Sequence, residues 1–158
     1  SLILRSQTSA PDHDYPLNWS SSITLDGVPG GSDSTLLTGS PLDDDDGNGL
    51  NNLLQHAFSV PGVRMIQPSA SINSFTNAES PGDYMTFSYT RNLAADDVVF
   101  TVQISPDLQN WISEGDTNIL PVSRIENGDG TETLTYRYTE PAAGYDQLFG
   151  RVLIQHLP

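Results

Sequence analysis

The chain has 158 residues, 36% of them hydrophobic and 8% aromatic, which is enough apolar surface to bury a core and excludes wholesale disorder. Six basic against 20 acidic residues give a formal charge of -14, which repels phosphate backbones and anionic bilayers, so neither nucleic acid nor membrane insertion is expected. Cysteine is absent, which removes disulfides and thiolate metal sites and leaves packing, hydrogen bonds and a hard cation on oxygen ligands to hold a fold.

The start Ser1-Leu2-Ile3-Leu4-Arg5 has neither an initiating Met nor room for a signal segment, and reads as the beginning of a mature or excised piece. Residues 1–6 are expected as a short strand, followed by an exposed loop at Ala10-Pro11-Asp12-His13-Asp14-Tyr15-Pro16 and a second extended piece at 19–25. Val28-Pro29-Gly30-Gly31 breaks regular structure, and Thr38-Gly39-Ser40-Pro41 leads into the run Asp43-Asp44-Asp45-Asp46. Leu50, Leu53, Leu54, Ala57 and Phe58 recur at helical spacing and predict one amphipathic helix, closed by Pro61-Gly62. Residues 67–82, rich in Ser, Asn and Pro, read as a loosely structured connection.

From residue 84 the period changes to two, with strands predicted at 84–91, 98–105, 118–126, 131–139 and 147–155 and a shorter one near 111–114. Asn127-Gly128-Asp129-Gly130 marks a hairpin, because Asn-Gly and Asp-Gly tolerate the positive φ of a tight reversal. The expected fold is mainly β: an antiparallel β-sandwich, Ig/fibronectin-like or jelly-roll-like, with one short helix after a calcium loop. Three parts are expected: N-terminal strands at 1–39, the acidic loop and helix at 40–62, and the sandwich at 63–158.

The segment beginning at Asp44 fits the D-x-D-x-N-G spacing of an EF-hand loop, its register set by Gly49 at the sixth position. Side chains one, three and five are Asp44, Asp46 and Asn48, the seventh ligand is the Leu50 carbonyl, Asn52 acts directly or through water, and Gln55 takes the twelfth position. An amide there offers one oxygen and no charge, so the dissociation constant for Ca2+ is expected on the order of 10⁻⁴–10⁻³ M. The competing reading is a solvated acidic linker whose last aspartates favour the helix N-terminus.

Asp46-Gly47-Asn48-Gly49-Leu50-Asn51-Asn52-Leu53-Leu54-Gln55-His56-Ala57 resembles the D-G-D-G-L-x-N-L-x-E-Y-A stretch of large secreted bacterial proteins, and is similar to half a dockerin or a thrombospondin type 3 repeat. In such proteins the loop and helix precede a C-terminal β domain, whose phrases are echoed by Tyr89-Thr90-Arg91, by Asp107-Leu108-Gln109-Asn110-Trp111 and by Phe149-Gly150-Arg151-Val152. Leu2-Ile3-Leu4, Asn18-Trp19-Ser20 and Gly27-Val28-Pro29-Gly30 resemble the closing strands of a lamin-tail-like domain. The resemblance implies a passenger module of a secreted or cell-surface protein, with the other domains of the parent as partners and no catalytic residues to carry over.

Catalysis is not expected. His13, His56 and His156 show no ligand spacing, Asp12-His13-Asp14 reads as an exposed loop, and Asp96-Asp97 reads as a solvated turn. No nucleophile elbow, phosphate loop or H-E-x-x-H helix occurs. Glycan modules on sandwiches stack exposed aromatics on sugars, which makes Trp19, Trp111, Tyr84, Tyr89, Tyr136, Tyr138 and Tyr145 candidates. Core packing is the preferred reading of Tyr136 and Tyr138, and Trp111 is expected to cap the sandwich interior. The leading expectation is a calcium-stabilised structural or adhesive accessory module, with a carbohydrate-binding module, and polysaccharide as its partner, as the alternative.

Overall fold

The computed structural model describes residues 2–4, 19–21, 34–76, 81–115 and 117–157. The expected loop with Asp12, His13 and Asp14 lies outside the described residues, as does the side chain of Trp19. Near the N-terminus β1 (Leu2–Leu4) pairs antiparallel with β2 (Trp19–Ser21) in a sheet of their own. Helix α1 (Asn52–Phe58) follows the acidic loop, started by the Asn51 side chain, which accepts the Leu54 N–H at 2.8 Å.

Seven strands build two antiparallel sheets. The first runs β3 (Ser69–Phe75), β4 (Gly82–Asn92), β8 (Thr131–Pro141), β7 (Ile119–Glu126); the second runs β6 (Ile112–Ser113), β5 (Val98–Ser105), β9 (Phe149–His156). This order is A-B-E-D over C′-C-F, the immunoglobulin arrangement rather than a jelly roll, with no strand at the G position among the described residues.

The alternation in the sequence explains which faces meet. Val98, Phe100, Val102 and Ile104 of β5 are all buried, facing Met85, Phe87 and Tyr89 of β4 and Leu134, Tyr136 and Tyr138 of β8. Tyr89 stacks between Phe100 and Tyr136, at ring distances of 5.7 and 6.3 Å. Helix α1 contributes Ala57 and Phe58 to the same cluster, with Phe58 edge-on to Phe100 at 5.6 Å, and Leu53 and Leu54 packed at its margin. Each such fully buried side chain contributes about 1.5–3 kcal/mol. The 7–8 hairpin is the expected reversal: Gly128 and Gly130 hold φ of +77° and +86°, and Asp129 accepts the Thr131 N–H at 3.0 Å.

Residues that pair across strands share a face, so Arg91, Glu132 and Arg124 continue the core-facing row of the first sheet. Glu132 is fully buried and accepts Arg91 Nε at 2.6 Å and Arg124 Nε at 2.5 Å; Arg91 also lies 5.2 Å from the Phe100 ring centre. At the other rim the β7–β8 ladder slips between Pro121 and Ser123, and edge strand β7 leaves Leu120, Val122 and Ile125 exposed.

Two expectations need correction. Residues 67–82 are not merely a connection, because they contain β3, whose polar sequence Ser-Ala-Ser-Ile-Asn-Ser-Phe hides the strand from an apolar count. Its ladder with β4 is reinforced by side chains such as the Ser71–Thr86 hydroxyl pair at 3.0 Å. Trp111 does not enter the sandwich: its indole N–H is donated to the Leu108 carbonyl at 3.2 Å, and the Arg151 guanidinium covers its ring at 3.8 Å on the face away from the core.

Candidate functional site

The acidic loop folds on itself as its spacing requires. Gly49 adopts φ +89°, a left-handed conformation that a side chain would oppose, and this turns the chain back toward Asp44. The two Asp44 oxygens accept the Asn48 N–H at 3.1 Å and the Gly49 N–H at 2.9 Å. Asp46 accepts the amide groups of Asn48 and Gln55, each at 2.9 Å, and Asn48 Nδ2 is donated to Gln55 Oε1 at 3.0 Å. The Gln55 amide bond, ahead of those from Asn48, holds the Asp46 carboxyl below its ordinary value.

Asp44, Asp46, Asn48 and Gln55 are thus brought together by hydrogen bonds within the loop. Asn52 is not among them: its amide is donated to the Ser40 carbonyl and to Asp45 Oδ2, both at 3.0 Å, so it braces the loop against the preceding segment. Leu50 precedes the helix rather than starting it. Among the described residues no group of three or more His, Cys, Asp or Glu side chains is placed to hold a metal ion. Asp44 and Asp46 offer hard carboxylate oxygens of the kind calcium takes, while the Asn48 and Gln55 amides turn N–H groups to Asp46 and Asn48 Oδ1 accepts the Leu50 N–H at 2.8 Å. Asp46, Asn48 and Gln55 open onto a groove of about 1170 Å³, so solvent ions reach them.

Behind the loop lies a cluster that the sequence did not reveal. His56 on α1 places Nε2 2.6 Å from Asp97 Oδ1, and His156 at the end of β9 places Nε2 3.4 Å from Asp97 Oδ2. The same carboxylate accepts the Leu37 N–H at 2.7 Å, and the Asp97 carbonyl accepts the Leu157 N–H at 2.7 Å. Asp97 is therefore no solvated turn residue; its side chain is 9% exposed. Burial pushes its carboxyl up, but the Leu37 and His56 bonds outweigh this and hold it below the usual carboxylate range. The ring nitrogens converge on a carboxylate, an arrangement that locks the 37 segment, the helix and two strands together.

The aromatic candidates divide clearly. Tyr84, Tyr89, Tyr136 and Tyr138 are 2–4% exposed, so none can stack on a sugar, and Tyr145 bonds the Tyr138 hydroxyl at 3.3 Å. Comparison with known proteins adds nothing further: no family model matches the chain, and no curated protein or solved structure proves similar to it.

Proposed function

We propose that the chain is a non-catalytic accessory module of a secreted or cell-surface protein, in which a calcium ion at the Asp44 loop rigidifies the attachment of α1 to the sandwich. The observation that carries this reading is the convergence of Asp44, Asp46 and Asn48 with Gln55 of α1, the helix that buries Ala57 and Phe58. Those four side chains and the Leu50 carbonyl would hold the ion, which would supply charge neutralisation and no chemistry. Carbohydrate binding has less behind it, since four of its candidate tyrosines are interior. The experiment is thermal unfolding in chelator and in millimolar calcium, on the parent chain and on Asp44→Ala. Calcium at ten times its dissociation constant adds about 1.4 kcal/mol, which raises the midpoint by roughly 3–6 °C in the parent and leaves Asp44→Ala unmoved. An identical midpoint with and without calcium in the parent chain overturns the proposal.

A further inference from the structure

The outer face of the first sheet carries a cation without a counter-ion. Tyr136 and Tyr138 of β8 face the core, so Arg137 between them projects outward, beside its cross-strand partners Thr86 and Leu120. There its guanidinium carbon lies 4.9 Å from the ring centre of Phe75 and 4.5 Å from that of Tyr84, and the two rings meet edge-on at 6.0 Å. Aromatic faces attract the charge but offer no oxygen to its N–H groups. Nη1 is buried without a hydrogen-bond partner, and no carboxylate among the described residues pairs with Arg137. Other arginines are provided for: Arg91 and Arg124 share Glu132, and Arg151 donates to Gln103. A buried polar atom left unbonded is rare in a folded protein and points to an absent partner.

Arg137 opens onto a groove of about 410 Å³, walled by residues 74–76 at the end of β3 and 120–122 on β7. That volume suits a small ligand. The walls are apolar at Phe75, Leu120, Pro121 and Val122, and no acidic residue lines them although the chain carries a formal charge of -14. Asp83, which faces Ser74 across the β3–β4 ladder, is engaged by the Ser74 hydroxyl. The backbone is shaped at the same place. The β4–β8 ladder slips between Tyr84 and Thr86 and the β7–β8 ladder between Pro121 and Ser123, one slip on either side of Arg137. Irregularities of this kind bend a strand and re-aim its side chains.

We propose that the groove binds a small monocarboxylate with an apolar body, the carboxylate on Arg137 and the body against Leu120 and Val122. A guanidinium is a flat fork that matches the two oxygens of a carboxylate. The rings take water from part of Arg137, so an anion arriving along the groove meets a less screened charge than a solvated surface arginine presents. A single cation also sets the charge of the ligand: a phosphate monoester would bring a second negative charge with no partner, against the field of an acidic protein. Leu120 and Val122, 41% and 43% exposed, are the surface that the body would cover. The groove shares no residue with the Asp44 loop, so the two sites can be tested apart.

The probe is benzoate, titrated into the isotopically labelled full chain at neutral pH and followed by NMR. Saturable shifts are expected at the Leu120 and Val122 amides and at the Arg137 Nε–H, with a Kd on the order of 1 mM. Benzamide, which lacks the charge, and acetate, which lacks the body, should each bind about tenfold more weakly. Arg137→Ala should abolish the shifts. Because that change also disturbs Phe75 and Tyr84, Val122→Glu is the second variant: it lies outside the stack, sets a like charge on the wall, and should weaken benzoate about tenfold. Absence of a saturable shift, equal binding of benzamide, or an unchanged affinity in Val122→Glu would each overturn the proposal. Inorganic phosphate bound as tightly as benzoate would overturn the choice of a carboxylate.

Discussion

Replacing Glu132 with alanine tests the account of the interior most directly. The carboxylate is 0% exposed and pairs with both Arg91 and Arg124, whose side chains are 13% and 18% exposed. Its removal leaves two like-charged guanidinium groups that have lost the carboxylate they share. Burial already pulls the Arg91 guanidinium below its ordinary value and Glu132 is its principal counterweight, so that desolvation would stand uncompensated. The expected loss is about 3–5 kcal/mol, the usual cost of breaking a buried ion pair from one side. In urea, with an m-value of roughly 1.5 kcal/mol/M, the midpoint should fall by about 2–3 M with m unchanged. Glu132→Gln, which keeps one acceptor oxygen, should fall between. A loss under about 1 kcal/mol for Glu132→Ala would mean that water reaches the guanidinium groups and that the cluster is not interior in solution.

Phe58→Ala should cost about 3–5 kcal/mol by urea titration, since it empties the helix's contact with Phe100; a cost near zero would detach α1 from the core. Gly150→Ala should destabilise by about 1–3 kcal/mol, because its methyl must displace the Phe87 ring, and circular dichroism melting reads the difference. Asp97 has a lowered carboxyl value, so its contribution is present above the unfolded value of about 3.9 and is lost as pH falls through the lower folded one. Unfolding midpoints below pH 4 should therefore drop more steeply in the parent chain than in Asp97→Asn; parallel pH profiles would show that Asp97 does not contribute this way.

Local patterns made much of this molecule legible before any coordinates. In the run from Val98 to Ser105 every second residue from Val98 to Ile104 is buried, and the run forms β5 over those residues, because a central strand covered on one face alternates. The stripe from Leu53 to Phe58 became the buried side of α1, and Gly49 took the left-handed turn its place in the loop demanded. What escaped was non-local. β3 is an edge strand exposed at every residue but Phe75, so nothing selected for apolar residues along it. Asp97 looked like an ordinary turn aspartate because its partner His56 lies 41 residues away. Trp111 was expected to cap the sandwich interior because it follows a tight turn, but an indole with a carbonyl for its N–H and a guanidinium over its ring is satisfied outside.

The imino acid in β7 has a bearing on how these molecules behave in crowded solution. Leu120, Val122 and Ile125 form an apolar rail on an outermost strand, the kind of surface along which like chains zip into fibrils. Pro121 offers no main-chain donor in the middle of that rail, and the slipped register beside it bends the strand away from a straight template. Exchanging Pro121 for valine would complete the rail, and aggregation rather than unfolding would be the first defect seen.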